Sequence, residues 1–137
     1  MLIDTKKYER LLSDAQKRRA DLDKGIDKLR QDYEHHGAHI ASLQQEKAKL
    51  ERTLADFERG NVHMSQQEMS AAADRVRYLT REILHNNAPW SASEAAWKAA
   101  INERNGVMTG LRQEALNAFW KENDESARVY ERDWLRL

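Results

Sequence analysis

Three histidines stand close together in His35-His36-Gly37-Ala38-His39. Neutral imidazole is a common metal ligand, and on a helix His35 and His39 lie one turn apart, so the pair could share an ion. Structural zinc takes four ligands, however, and catalytic zinc three plus water. The neighbouring acids Asp32 and Glu34 do not complete such a set. No metal and no other cofactor is expected. His36 instead falls on an apolar helical seam, where a polar side chain sets register. A seam that responds to pH is the alternative, because histidine titrates near neutrality.

Other chemistry finds little footing. The chain has no cysteine, so disulfides, thiolate nucleophiles and Cys-based zinc sites are excluded. It contains no Gly-rich phosphate loop, nucleophile elbow or His-Glu-x-x-His pattern. Its many carboxylates fall at spacings that solvated helix faces explain. No catalytic residue is assigned and no enzymatic activity is expected.

The aromatic residues are better candidates for function. Trp90, Trp97, Trp120 and Trp134 all lie in the last third of the chain. Trp90 and Trp97 are seven residues apart on one helix face and flank Pro89, where they would pack an elbow. Trp120, Tyr130, Trp134 and Leu137 gather near one end. Aromatics are favoured interface anchors, so this set is the first candidate for a partner-binding surface. The competing expectation is that these residues cover the start of the first helix around Tyr8 and Leu12. A second candidate is the tip Val62-His63-Met64, which either meets a partner or staples onto Met69. The flanking Glu58 and Arg59 give this tip one acid and one base, which argues against a plug for a charged channel.

The elements that must position these residues are all helices. Tyr8, Leu12, Ala15, Arg19, Leu22, Ile26 and Leu29 open a series with alternating spacings of 4 and 3. Tyr33, His36, Ile40, Leu43, Lys47, Leu50, Leu54 and Phe57 continue it without a slip. That is the period of a coiled-coil seam. Only Arg19, His36 and Lys47 interrupt its apolar character. A helix over about 5–58 would span about 80 Å and cannot bury its own seam. Gly25 and Gly37 weaken it, and Gly60-Asn61 stops it, since glycine readily takes the left-handed cap conformation.

Ser65-Gln66-Gln67-Glu68 reads as a capping box that opens a second helix over about 66–86, carrying Met69, Ala72, Val76, Leu79 and Ile83. Asn86-Asn87-Ala88-Pro89 reads as a break near 86–90, because proline disfavours the helical state in the residue before it. Ser91-Ala92-Ser93-Glu94 reads as another capping box that opens a third helix over about 91–135. The expected fold is all-α: a long antiparallel coiled-coil hairpin, or an elongated helical bundle, of three helices in one elongated domain. Its tip lies near 59–65, and the return arm overshoots the start of the first helix. A parallel dimer through the Tyr8–Phe57 seam is the alternative, since branched residues and leucine alternate along it.

Charge narrows the function classes. Lys plus Arg and Asp plus Glu each number 23, giving formal net charge zero. The balance also holds locally, with 13 basic and 12 acidic residues over 1–60 and 10 and 11 over 61–137. Nucleic-acid binders usually concentrate positive charge, so the even balance argues against a nucleic-acid partner. Nor does the pattern suit a small-molecule substrate. No run approaches the roughly 18 apolar residues of a membrane span. Met1-Leu2-Ile3-Asp4 does not resemble the start of a signal peptide, so a cytoplasmic location is expected.

A long first helix, a tip near residue 60 and a longer return arm together resemble the small coiled-coil hairpin stalks of type III secretion export ATPases. The resemblance covers the whole chain and rests on layout, with no shared motif. It implies a stalk within an export apparatus. The residues themselves point first to a non-enzymatic coiled-coil adaptor or inhibitor that docks on another protein, of the size of a small bacterial or phage accessory protein. A nucleic-acid-associated helical protein is the third reading, and it needs basic residues gathered onto one face.

Overall fold

A computed structural model describes residues 5–122, 131 and 133–137. Two long helices make up most of it: α1, Thr5–Glu58, and α2, Gln66–Glu122. A short third helical segment is described at residues 131 and 133–135. No strand occurs among the described residues. The fold is the expected all-α helical hairpin.

The turn between the helices follows from local chemistry. Gly60 adopts φ +78°, a conformation that costs other residues 1–2 kcal/mol, roughly. It lets the Asn61 N–H donate to the Asp56 carbonyl at 2.9 Å and its own N–H donate to that of Phe57 at 3.0 Å. These two bonds form a Schellman cap, which satisfies carbonyls that the last turn of α1 would leave unpaired. On the other side, Ser65 caps α2: its hydroxyl oxygen accepts the Glu68 N–H at 3.1 Å.

The chain divides into two compact units, one of Met1–Lys28 with Trp97–Leu137 and the other of Leu29–Ala96. In the second unit α1 and α2 run antiparallel, with Tyr33 beside Trp90 and Glu46 paired to Arg75. Ile40 and Leu79 are its most deeply buried apolar side chains. Arg75 donates to both carboxylate oxygens of Glu46, at 2.8 and 3.2 Å. Its guanidinium also lies 4.9 Å from the Tyr78 ring centroid.

The expected break near 86–90 is not there: α2 passes through Pro89 without interruption. Proline brings no N–H for the carbonyl four residues back, a cost of about 3 kcal/mol in a helix interior. Side-chain packing outweighs it. The apolar spacing runs on through Ile83, Asn86, Trp90 and Ser93, none of which is exposed. The Trp90 ring stacks on Tyr33, with centroids 5.9 Å apart and an interplanar angle of 18°. Polar side chains near the proline also bond to the backbone. The Asn86 amide donates to the Glu82 carbonyl at 2.7 Å, and the Ser93 hydroxyl to that of Trp90 at 2.6 Å. Ser91 and Glu94 therefore lie inside α2 rather than at a helix start.

In the first unit α1 and α2 are again antiparallel. Tyr8 meets Phe119 edge-on at 4.9 Å, and Arg104 donates to Asp23 at 2.9 Å. Tyr8, Ala15, Ala115, Phe119 and Trp134 form one buried cluster. A return helix continuing straight to residue 135 would carry Trp134 about 22 Å beyond Phe119. Trp134 packs in the same cluster as Phe119 instead, so the expected overshoot of the return arm is corrected. The Tyr8 hydroxyl donates to Asp133 at 3.1 Å and fixes this last segment to α1.

Candidate partner-binding site

All fifteen seam positions of α1, from Tyr8 to Phe57, are buried or half-buried, including Arg19, His36 and Lys47. At Tyr8 and Tyr33 the seam is covered by Phe119 and Trp90 of α2. Lys47 reaches Glu51 at 3.7 Å, and His36 Nε2 lies 3.8 Å from Asp32. The rings of His35 and His36 are 6.4 Å apart. No group of three or more metal-ligating side chains is assembled among the described residues.

The expected C-terminal surface is divided. Trp134 is only 3 % exposed and belongs to the core with Tyr8, while Leu137 packs against that core. For these two the competing expectation, that they cover the start of α1, describes the packing. Tyr130 and the side chain of Trp120 lie outside the described residues. At the hairpin tip Val62 and His63 are exposed and Met64 is half-buried. Val62 is one of four exposed large hydrophobic residues among those described, with Tyr78, Leu84 and Leu135. Scattered singly, such residues are ordinary on a protein surface.

Among the described residues the first unit carries an open groove of about 690 Å³. From α1 it is lined by Lys7, Leu11, Asp14, Ala15 and Arg18. From α2 it is lined by Val107, Leu111, Glu114, Ala115 and Ala118. Both strips have the spacing 4, 3, 1, 3, one face of a helix over three turns, or about 17 Å. Ala15, Ala115 and Trp134 are buried and form the floor; Leu11, Val107, Leu111 and Ala118 are half-buried walls. Lys7, Asp14, Arg18 and Glu114 are exposed along the rims.

A short repeat builds this groove. Leu11-Leu12-Ser13-Asp14-Ala15 on α1 matches Leu111-Arg112-Gln113-Glu114-Ala115 on α2. Each copy turns a leucine and an alanine inward and an acid outward. Because the helices are antiparallel, the two copies are related by an approximate two-fold axis normal to the groove. The register that pairs Tyr8 with Phe119 and Asp23 with Arg104 brings Asp14 level with Gln113, next to Glu114. The two acids therefore flank the groove at its midpoint, one on each rim. Neither of them, nor Arg18, makes a hydrogen bond or ion pair with another described residue. None of the groove walls was singled out by aromatic content or motif. The signal that could have found them is the repeat itself, a Leu-x-x-acid-Ala sequence at 11–15 and again at 111–115.

These features define an all-helical hairpin with an apolar groove edged by charges and no metal-ligating cluster of three or more side chains among the described residues. No helix among the described residues is long and apolar enough to cross a membrane. The chain matches no protein family, and no curated protein or solved structure is similar to it.

Proposed function

We propose that this chain is a non-enzymatic interaction module, an adaptor or inhibitor that works in the cytoplasm by docking on a partner protein. The supporting observation is the groove of the first unit. It offers an apolar floor three helical turns long, between rims whose charges Asp14, Arg18 and Glu114 have no partner among the described residues. Binding sites are typically concave and mostly apolar, with a few polar groups that fix orientation. A photo-reactive amino acid at Val107 tests the reading in the native cell. One discrete cross-linked partner protein is expected, with none from the same group at exposed Gln44. Equal cross-linking from both positions, or none from either, refutes it.

A second reading, the export-apparatus stalk, draws support from the unbroken course of α2 through Pro89. A continuous return arm is what that resemblance implies. Co-purification with a type III export ATPase checks it, and its failure at native expression levels removes it.

A further inference from the structure

The groove also constrains what kind of partner it takes, if the docking reading above holds. Two charges decide the matter. Asp14 and Glu114 face the groove midpoint from opposite rims, and each is exposed and unpaired among the described residues. A second copy of this chain is a poor occupant. A two-fold pairing of groove on groove that aligns the two midpoints, and so buries the most apolar floor, would bring the two acids of one copy against those of the other. Like charges brought together in this way weaken an interface. Nucleic acid is a poor occupant for the same reason.

The walls indicate the shape of the occupant. Each strip repeats with helical spacing, and Ala15, Ala115 and Ala118 leave room for close approach of a third backbone. An amphipathic helix laid in such a groove presents anchors at every third or fourth residue. Its apolar stripe would rest on Leu11, Leu111 and Val107. Its two flanks would pass Asp14 and Glu114 at the same level.

We infer that the groove seats a single amphipathic helix of another protein, with an apolar stripe and a basic residue on each flank at its centre. Arg18 then accommodates an acid nearer one end, on the α1 side only.

Two synthetic peptides test this by fluorescence polarisation against the intact chain in about 0.1 M salt, where exposed charges are only partly screened. Both have about eighteen residues, five helical turns, and the same leucine stripe. One carries lysine on each flank at the centre, and the other carries glutamate there. The lysine peptide is expected to bind about tenfold more tightly, from two attractive contacts in place of two repulsive ones. The double variant Asp14→Lys/Glu114→Lys should invert that preference. The control Glu58→Lys/Glu68→Lys changes the same charge in the second unit, away from the groove, and should leave it intact. All four positions are exposed, and circular dichroism will verify the fold of each variant.

Failure of both peptides to bind overturns the inference, as does a preference that survives the groove reversal. A dimer seen by light scattering that Asp14→Lys/Glu114→Lys disperses or tightens also overturns it, in favour of a second copy. Cross-linking of a partner from Val107 that is unchanged in the groove-reversed variant would leave the docking reading standing and remove only this account of the partner's charge.

Discussion

The indole of Trp90 occupies the space that a side chain at position 37 would need. A β-carbon built on Gly37 would lie 3.2 Å from the Trp90 ring nitrogen and 3.5 Å from two of its carbons. Tyr33 backs the same ring from one helical turn away. A coiled-coil seam of similar residues can pair at several offsets, each one heptad apart. One heptad either way, Trp90 would meet Arg30 or Gln44 instead of glycine. The contact therefore keys the two helices to one register.

Gly37→Ala separates this role from helix propensity. An alanine gains about 1 kcal/mol over glycine in an open helix interior. At Gly25, where nothing lies within 4 Å, Gly25→Ala should raise stability by about that amount. At Gly37 the stacked indole must give way, so Gly37→Ala should be neutral or destabilising. Urea titration of both variants checks the contrast, and an equal gain at both sites would refute the keying role.

Pro89→Ala should stabilise the chain. Pro89 is exposed, so little packing is lost, and the helix regains a backbone donor. An increase of about 1–3 kcal/mol is expected, seen as a higher melting temperature. A fall would show that the proline shapes α2 in a way the packing needs.

The last segment should depend on Tyr8 and Trp134. Trp134→Ala empties a buried aromatic site, and a loss of about 3–5 kcal/mol is expected. Tyr8→Phe keeps the ring against Phe119 but removes the hydrogen bond to Asp133. Its expected cost is about 0.5–1.5 kcal/mol. Amide hydrogen exchange should show faster opening at residues 133–137 in Tyr8→Phe, with Ile40 and Leu79 unaffected.

Acid should weaken the second unit through Glu46. The hydrogen bonds from Arg75 hold its carboxyl below the usual carboxylate range. A group whose folded value is depressed stabilises the fold at pH above its unfolded value, and that contribution disappears as pH falls through the folded value. Glu46→Gln should therefore lower stability near neutral pH and lose less than the parent chain on acidification below about pH 4.5. Melting curves across that range provide the check. Parallel curves for both chains would rule the contribution out.

Much of the hairpin was legible from residue spacing. The seam from Tyr8 to Phe57 never slips, and Gly60-Asn61 ends α1 with a cap that glycine alone makes cheaply. Pro89 misleads because a local breaker is more conspicuous than the longer pattern around it. The 3–4 spacing continues through Ile83, Asn86, Trp90 and Ser93, but Asn86 and Ser93 are polar and hide it. Burial of a tryptophan stacked on Tyr33 offset what the proline cost. Trp134 shows a different limit. Its partners Tyr8 and Ala15 are over a hundred residues away, and no local spacing encodes such a contact. The groove was legible in principle, since its Leu-x-x-acid-Ala repeat is plain once the two helices are known to be neighbours.

That repeat leaves the groove with little sense of direction. Turned end for end, an inserted helix would find the same leucine, alanine and acid in the same order. Along the rims, polarity comes from the outer positions, where Lys7 and Arg18 on α1 stand against Val107 and Ala118 on α2. Two cations on a single rim therefore bias which way a bound helix runs, and exchanging both Lys7 and Arg18 for the residues at the matching positions would remove that bias.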